Sequence, residues 1–187
     1  MATTTPIHFT GDAEADALLG ESPLALLIGF ALDQQVTVQQ AFAGPLRLQQ
    51  RLGHLDAARI AAMPPDELEA VFSERPAIHR FPRNMAKRTR ELCAMVADEY
   101  GDDASRVWTE AANSADLEAR IRALPGFGDM KVMGLGSTLA KRLGVEAAEP
   151  LVPDHPTLGD VDSPEALEAY QSAKRAHKAA MRAQQST

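Results

Sequence analysis

Apolar residues recur at three- and four-residue spacing along almost the whole chain, and no segment sustains the alternating pattern of a strand. The clearest example is PLALLIGFAL at 23–32, which is apolar on nearly every side. Ser22, a residue type that caps helices, comes directly before its first proline. This segment predicts a helix buried in the centre of the fold. The pattern as a whole predicts an all-α protein with about nine or ten helices.

Caps, glycines and prolines predict where the other helices begin and end. Gly44-Pro45 is expected to kink or interrupt the second helix. Ser114 is expected to cap the helix predicted at 114–123. Residues 145–161 are rich in Pro, Asp and Glu, which predicts a loop before the last helix. The predicted helices after the first cover residues 38–52, 57–63, 66–73, 83–100, 103–111, 114–123, 129–143 and 165–182.

The length of 187 residues suits one domain covering 1–187. The single cysteine, Cys93, excludes an internal disulfide and a four-cysteine iron–sulfur cluster. The five histidines have no ligand spacing, so we expect neither a metal nor another cofactor. No run approaches the roughly 20 apolar residues of a membrane span, and the N-terminus does not resemble a signal peptide. We therefore expect a cytoplasmic protein with no membrane partner.

The net charge of −7 argues against a protein that coats nucleic acid, but the charge is unevenly distributed. The stretch HRFPRNMAKRTR at 79–90 contains five Lys or Arg residues and no acid. A basic face on an acidic protein can still bind a polyanion. Further basic residues of the second half are Lys131, Lys141, Arg142, Lys174, Arg175, Lys178 and Arg182.

The stretch LPGFGDMKV at 124–132 separates two predicted helices. It lacks the third glycine of a dinucleotide-binding loop and the Gly-Lys-Ser/Thr of a phosphate-binding loop. A plain turn between helices would also use glycine here. Asp129 can cap the following helix, whose first N–H groups and positive dipole form an anion site beside Lys131. The stretch therefore predicts a helix-hairpin-helix that holds a DNA phosphate through backbone amides. Its candidate DNA-binding residues are Leu124, Pro125, Gly126, Phe127, Gly128 and Lys131.

Four stretches in this order resemble the helix-hairpin-helix DNA glycosylase superfamily, the HhH-GPD base-excision repair family. They lie within residues 22–144, and residues 145–187 add a C-terminal loop and helix. The resemblance implies that family's helical fold in a small member without an iron–sulfur cluster. The four stretches are ALDQQVTV (31–38), LGHLDAARIAAMPPDELEAVF (52–72), FPRNMAKRTRELC (81–93) and LPGFG (124–128).

The resemblance implies a DNA glycosylase that cleaves the N-glycosidic bond of a flipped nucleotide in damaged double-stranded DNA. In that family a polar side chain enters the duplex where the damaged base left. Gln35 is the first candidate for this wedge and Gln34 the second. We expect a monomer, and the sequence identifies no protein partner. The candidate phosphate contacts are Arg83, Lys87 and Arg88.

The same family uses an aspartate carboxylate that faces the sugar and stabilises an oxocarbenium-like transition state. Asp162 is the first candidate because its context, Val before and Ser after, opens a helix as in the family. Asp154 is the second candidate and Asp160 the third, and loop acids with no catalytic role are the alternative. Strand-cutting members carry lysine where Met130 stands here. Lys131 is one residue further, about 100° around the helix, so we expect hydrolysis without strand cleavage.

Two other classes of function remain open at this point. A non-catalytic member of the family would bind DNA or serve another repair protein, which suits the ambiguous aspartate and the negative net charge. An all-α interaction module would have no role with nucleic acid. Contacts with phosphates weaken as salt is added, so an affinity for DNA that does not fall with added salt would indicate this last class.

Overall fold

A computed structural model describes residues 6–186, and within that range the chain forms ten α-helices, two 3-10 helices and no strand. The all-α prediction is therefore confirmed. The α-helices are α1 (Ala13–Glu21), α2 (Pro23–Leu32), α3 (Val38–Leu52), α4 (Ala57–Ala62), α5 (Pro65–Ser73), α6 (Pro82–Tyr100), α7 (Arg106–Thr109), α8 (Ser114–Ala123), α9 (Asp129–Leu143) and α10 (Pro164–Gln185). The 3-10 helices are Glu146–Leu151 and Leu158–Asp160.

Helix α2 is buried along most of its length, as its all-apolar sequence predicts. The Ser22 hydroxyl accepts a hydrogen bond from the Ala25 amide, and Pro23 begins the helix. The helix packs most closely against α3, and it also contacts α1 and α6. Each fully buried leucine contributes about 1.5–3 kcal/mol, so α2 is the centre on which the neighbouring helices assemble.

One apolar cluster joins the N-terminal and C-terminal parts of the described chain. It extends from Ile7 before α1 to Leu167 in the first turn of α10. Beyond Leu167 most of α10 is exposed, although Tyr170 packs against the cluster. A pair of glutamines, Gln39 of α3 and Gln171 of α10, joins the two helices through side-chain hydrogen bonds.

Three predicted details of the helices differ from the structure. Helix α3 runs without interruption through Pro45, so the predicted interruption is wrong, and the alternative of a kink stays a prediction. The N-cap of α8 is Asn113, not Ser114, because the Asn113 side chain accepts a hydrogen bond from the Asp116 amide. The predicted loop at 145–161 contains both 3-10 helices, which pack against α9.

Helix α1 was absent from the predicted set. Its sequence, AEADALLGE, has a short apolar face on which only Ala15 and Leu19 are buried. Asp12 caps it by accepting hydrogen bonds from the amides of Glu14 and Ala15. Tertiary contacts with α2 and α3 stabilise this short helix, which its weak periodicity does not reveal.

No single helix in residues 6–186 is long and apolar enough to cross a membrane. Helices α1 and α2 together would have sufficient length and apolar character, but a 115° bend separates them.

Candidate DNA-binding and catalytic site

The α2–α3 junction, residues 31–36, changes the direction of the chain within a few residues. The Asp33 amide donates to the Phe30 carbonyl at 3.2 Å and ends α2. Gln34 donates its amide to the Leu32 carbonyl at 2.8 Å. Gln35 then adopts a left-handed conformation with φ of 58°, which is strained for a residue with a side chain. As a result both wedge candidates, Gln34 and Gln35, lie exposed at the end of a buried helix.

A buried histidine fixes the backbone of this junction. The His79 Nδ1 atom accepts the Phe81 amide at 3.0 Å, which leaves the ring proton on Nε2. Nε2 lies 3.1 Å from the carbonyl oxygens of Leu32 and Gln34, so it donates to both. Burial lowers the pKa of His79, and the carbonyl contacts work against that shift. The neutral ring thus ties the start of α6 to the junction.

Arg88 of α6 connects the junction with the hairpin, residues 124–128. Its Nη1 atom donates to the Gln34 side-chain oxygen. The rest of the guanidinium lies against Gly126, where an added Cβ would come within 2.6 Å of Arg88 Nε. Gly126 also has a positive φ of 80°, so both its conformation and the contact with Arg88 require glycine.

The hairpin has two buried side chains, Leu124 and Phe127, and the Phe127 amide donates to the Leu124 carbonyl at 3.1 Å. Pro125 is partly exposed between them. Gly128 is the N-cap of α9, and no side chain caps the helix there. The prediction that Asp129 caps α9 is therefore wrong: its carboxylate pairs with Arg122 of α8. The first amides of α9 are consequently available to an anion.

Lys131 extends from the first turn of α9 towards the junction. Its Nζ atom donates to the Ala31 carbonyl at 3.2 Å and lies 5.6 Å from the centre of the Phe127 ring. Burial lowers the pKa of Lys131 to about 8, and the positive charge of Arg88 acts in the same direction. The negative charge of Asp33 opposes the shift. Lys131 thus links the hairpin helix to the end of α2.

Asp33 carries the carboxylate of the junction, and three charged groups act on it. Burial raises the pKa of Asp33, and the positive charges of Lys174, Lys131 and Lys178 work against that rise. Tyr170 lies on the same side of α10, and burial and the charge of Asp33 both raise the pKa of its hydroxyl. Charged groups at the start of α9 and in the middle of α10 therefore act on Asp33 at the end of α2.

An open pocket of about 440 Å³ lies between the junction and the first turns of α6. Polar and charged side chains form most of its lining, and its apolar part comes from α6 and the residue before it. The lining residues are Gln34, Gln35, Phe81, Asn84, Met85, Lys87, Arg88 and Glu91. The pocket therefore brings both wedge candidates together with two of the predicted phosphate contacts.

The three predicted phosphate contacts of α6 have different surroundings. Arg83 is 85% exposed and lies 3.8 Å from Glu69 of α5. Lys87 is also exposed and lies 3.9 Å from Glu91, one turn further along α6. Surface pairs of this kind contribute little to stability, so both cations can exchange partners for phosphate. Arg88 differs because it is half-buried between Gln34 and Gly126.

The predicted catalytic aspartates lie in the segment after α9, residues 144–163. Asp154 is exposed between the two 3-10 helices, and Asp162 is exposed just before Ser163, the N-cap of α10. Asp160 accepts the Thr157 amide at 2.8 Å and pairs with Lys141 of α9. Partial burial would raise the pKa of Asp160, but these hydrogen bonds lower it below its usual value. The prediction that one of the three is catalytic stays a prediction.

Two residues of this site were not among the sequence candidates. Asp33 precedes Gln34-Gln35, and its position at the end of a buried helix is the signal that could have drawn attention to it. His79 precedes α6 in IHRF, a context that gives no sign of contact with residues about 45 positions earlier. The aromatic side chains of Phe30, Phe42 and Trp108 are buried in the core.

Across residues 6–186 no group of three or more His, Cys, Asp or Glu side chains could hold a metal ion. Cys93 is a buried free thiol, and burial raises its pKa to about 12. This side chain is therefore a core residue with little nucleophilic character.

A protein-family model described as HhH-GPD superfamily base excision DNA repair protein matches residues 28–185, well over half of the chain. No curated protein and no solved structure matches the chain. The matched residues include the junction, α6, the hairpin, the segment after α9 and all of α10.

Proposed function

Because the chain belongs to the HhH-GPD superfamily of base excision DNA repair proteins, we propose that it is a DNA glycosylase that hydrolyses the N-glycosidic bond of a flipped, damaged nucleotide. The observation that supports this most is the contact of Arg88 with both Gln34 and Gly126. It gives the wedge candidates and the phosphate-binding hairpin a fixed separation, which an enzyme needs to hold one strand while it opens the duplex.

In this proposal the hairpin and the first turn of α9 hold a phosphate of the DNA. The uncapped amides at the start of α9 donate to the phosphate oxygens, and the helix dipole favours the negative charge. Lys131 in the first turn of α9, with Arg83 and Lys87 of α6, adds positive charge around the bound strand. Contacts of this kind position a duplex without reading its sequence.

The wedge candidates then take the place of the flipped nucleotide. Gln34 is oriented by Arg88, and Gln35 is presented by its left-handed backbone. An amide side chain can form hydrogen bonds with the base left unpaired in the opposite strand. A fixed wedge lowers the cost of extrusion because the protein makes no further adjustment as the base leaves the stack.

We further propose that water is the nucleophile and that strand cleavage does not follow. The sequence places Met130 where strand-cutting members of the family carry lysine, and the Lys131 amine is engaged by the Ala31 carbonyl. Borohydride traps the covalent intermediate that a lysine forms with an abasic site. We expect no such adduct with an abasic duplex, and an adduct that disappears in Lys131→Met would contradict hydrolysis by water alone.

The proposed function is tested by incubating the protein with duplexes that contain uracil, an alkylated base or an oxidised base. We expect an abasic product from at least one of them and none from the matching undamaged duplex. The proposal also takes the protein to act as a cytoplasmic monomer that associates with the nucleoid, which sedimentation and fractionation can check. Binding without product from every lesion would exclude glycosylase activity towards these classes of damage.

A non-catalytic DNA-binding protein is the second candidate. The observation that favours it is the state of the predicted catalytic acids: Asp154 and Asp162 are exposed, and Asp160 is occupied by Lys141. Such a protein would bind duplex DNA with a strong dependence on salt, as the glycosylase would. The lesion panel separates the two, because only the glycosylase releases a base.

A further inference from the structure

Helix α10 runs beside the α2–α3 junction. Gln39, in the first turn of α3, donates to the side-chain oxygen of Gln171 at 2.8 Å and accepts a hydrogen bond from its amide in return. Helix α3 begins only two residues after the junction. Burial raises the pKa of Asp33, and the charges of Lys174 and Lys178, about one and two turns beyond Gln171, oppose that rise. The middle of α10 is therefore anchored next to the residues that would enter the duplex.

The basic residues of α10 all lie on one side of the helix. At about 100° per residue, they fall within about 160° of its circumference. The same half of the helix carries Leu167, Tyr170 and Gln171, which contact the rest of the chain. The opposite half beyond Glu168 is mostly alanine and serine, and no acid follows Glu168 in the sequence. The positive side of α10 carries Lys174, Arg175, His177, Lys178 and Arg182.

The rest of the described chain covers only the beginning of the positive side. Leu167 is buried, and Gln171 and Lys174 are partly exposed. Every residue from Arg175 to the end of α10 at Gln185 is exposed. At 1.5 Å per residue, this exposed part extends about 15 Å. The positive side therefore continues past the junction as a surface open to solvent.

The chemistry of this surface fits the phosphate backbone of DNA. Lysine and arginine residues that neutralise phosphates release bound counterions, which drives the binding of a duplex without regard to its sequence. An exposed length of about 15 Å matches about four phosphates of one strand. A membrane surface fits less well, because insertion needs large apolar residues, and beyond Tyr170 the positive side offers only Met181.

The positive side of α10 also lies next to the proposed binding site of the hairpin helix, α9. Lys131 of α9 reaches the junction at the Ala31 carbonyl, 3.2 Å away, and α10 reaches the start of α3 at Gln39. Cations of the two helices thus flank the same short segment, residues 31–39. A duplex held at this segment can therefore contact both helices.

We propose that the positive side of α10 beyond Gln171 is a second contact surface for DNA, which binds phosphates on one side of the flipped nucleotide. This inference rests on the DNA binding in the proposed function and extends the contact beyond the hairpin and the pocket. Lys178 and Arg182, one turn apart and both exposed, bind the backbone of the flanking duplex. The protein therefore covers more base pairs on one side of the lesion than on the other.

The test is the affinity for a fluorescent duplex with an uncleavable abasic-site analogue, measured at several salt concentrations. Lys178→Gln with Arg182→Gln removes two exposed cations and keeps residues that favour a helix. We expect the affinity to fall roughly tenfold at about 0.1 M salt, and the slope of log affinity against log salt to fall by about one per cation. Lys178→Arg with Arg182→Lys keeps both charges and should bind like the wild-type protein. Circular dichroism checks that each variant remains helical.

The matched control is Arg59→Gln with Arg106→Gln, which changes the net charge by the same amount. Both residues lie near the end of α6 that is furthest from the pocket. The Ala58 amide, next to Arg59, donates to Asp102 just after α6, and Arg106 lies 3.7 Å from Asp103 in the same segment. Because charges further apart than about 10 Å are largely screened at this salt, the control should bind within about twofold of the wild-type protein.

The position of the lesion in the duplex provides a second readout. The analogue is placed at the centre, or about three base pairs from one end or from the other, where the short flank extends only about 10 Å. The double variant should lose affinity for the centred duplex and for one of the end placements. In the other end placement no phosphates reach α10, so the double variant and the wild-type protein should bind equally.

The proposal is overturned if the double variant binds DNA like the control, or if its loss is the same for all three placements. Binding to anionic phospholipid vesicles that the double variant loses, with unchanged affinity for DNA, would overturn it in favour of a membrane surface. A wild-type protein that binds with the expected asymmetry and releases no base keeps the surface on α10 and contradicts the glycosylase proposal. A wild-type protein with no affinity for any duplex overturns both, so the two failures are distinguishable.

Discussion

The α2–α3 junction and the segment after α9 both contain polar residues that the sequence predicts to be functional. The two regions differ in how far away in sequence their hydrogen-bond partners lie. The junction is held by residues 45, 54 and 100 positions away: His79, Arg88 and Lys131. The acid Asp160 of the segment after α9 binds Thr157 and Lys141, which are 3 and 19 positions away. The hydrogen bonds that hold the junction thus come from positions much further away in sequence than those that hold Asp160.

This difference shows where a precise site can form. A reacting group must be held within a fraction of an ångström, and supporting contacts from several rigid elements provide that accuracy. Helices α6 and α9 and the residue before α6 give such support to the junction. Asp154 and Asp162, in contrast, are exposed in the segment after α9.

The largest expected effect comes from removing the histidine that fixes the junction. In His79→Ala the Gln34 carbonyl and the Phe81 amide lose their contact with the ring, and the Leu32 carbonyl keeps only the Gln34 amide. We expect a loss of about 2–4 kcal/mol in the free energy of unfolding, measured with urea. The matched control is His155→Ala in the segment after α9, where the side chain is exposed and a change within about 0.5 kcal/mol is expected. Equal losses of stability in the two variants would mean that the two regions do not differ in how firmly they are held.

The next effect concerns the contact between the hairpin and Arg88. Gly126→Ala forces a left-handed alanine, which costs roughly 1–2 kcal/mol, and displaces Arg88. Gly53→Ala is the control, because Gly53 has a similar φ of 79° and open space around it. Both variants should lose stability, but only Gly126→Ala should bind a duplex about tenfold more weakly.

If Gly126→Ala binds DNA as tightly as Gly53→Ala, the hairpin does not hold the duplex. Titration of a fluorescent duplex at fixed salt provides the comparison, since affinities at different salt concentrations are not comparable.

A smaller effect, of opposite sign, is expected at the wedge. Gln35→Gly removes the strain of a left-handed glutamine, so the protein should become more stable by about 0.5–1 kcal/mol. Base release should nevertheless fall because the side chain is lost. The matched control is Asp102→Gly, because Asp102 also has a positive φ, of 66°. Its carboxylate accepts a hydrogen bond from the Ala58 amide, so this change should destabilise the fold. Unchanged base release in Gln35→Gly would leave Gln34 as the wedge.

The last expected effect is a pH dependence contributed by Lys131, which its partial exposure to solvent reduces. The folded protein releases the proton at a pKa of about 8, whereas the ordinary value is 10.5. Between these values the unfolded chain binds more protons, so stability rises with pH. The wild-type protein should therefore gain stability relative to Lys131→Met as the pH increases from about 8 to about 10.5. A difference that is constant with pH would mean that Lys131 is fully solvated.

Local signals in the sequence were sufficient to predict most of the helices. Ser22-Pro23 marks the start of α2, Gly53 ends α3, and Gly144 ends α9 with a positive φ. These signals act within a few residues, so they can be read without knowledge of the fold. Pro45 shows their limit, because tertiary packing keeps α3 helical through a residue that usually interrupts a helix.

The site was predictable only in part, because the signals in the sequence act within a few residues and several contacts of the site join distant positions. The motifs identified Gln34, Gln35 and the hairpin because these residues follow one another in short stretches. The connections of His79 to Leu32 and of Lys131 to Ala31 span 47 and 100 positions, and no local pattern encodes them. These contacts therefore become visible only in the folded structure.

The most direct measurement is a crystal structure of the protein bound to a duplex with an uncleavable abasic-site analogue. We predict a phosphate at the amides that begin α9 and Gln34 or Gln35 in the gap left by the base. A gap that neither glutamine fills, or a duplex bound away from the hairpin, would contradict the account.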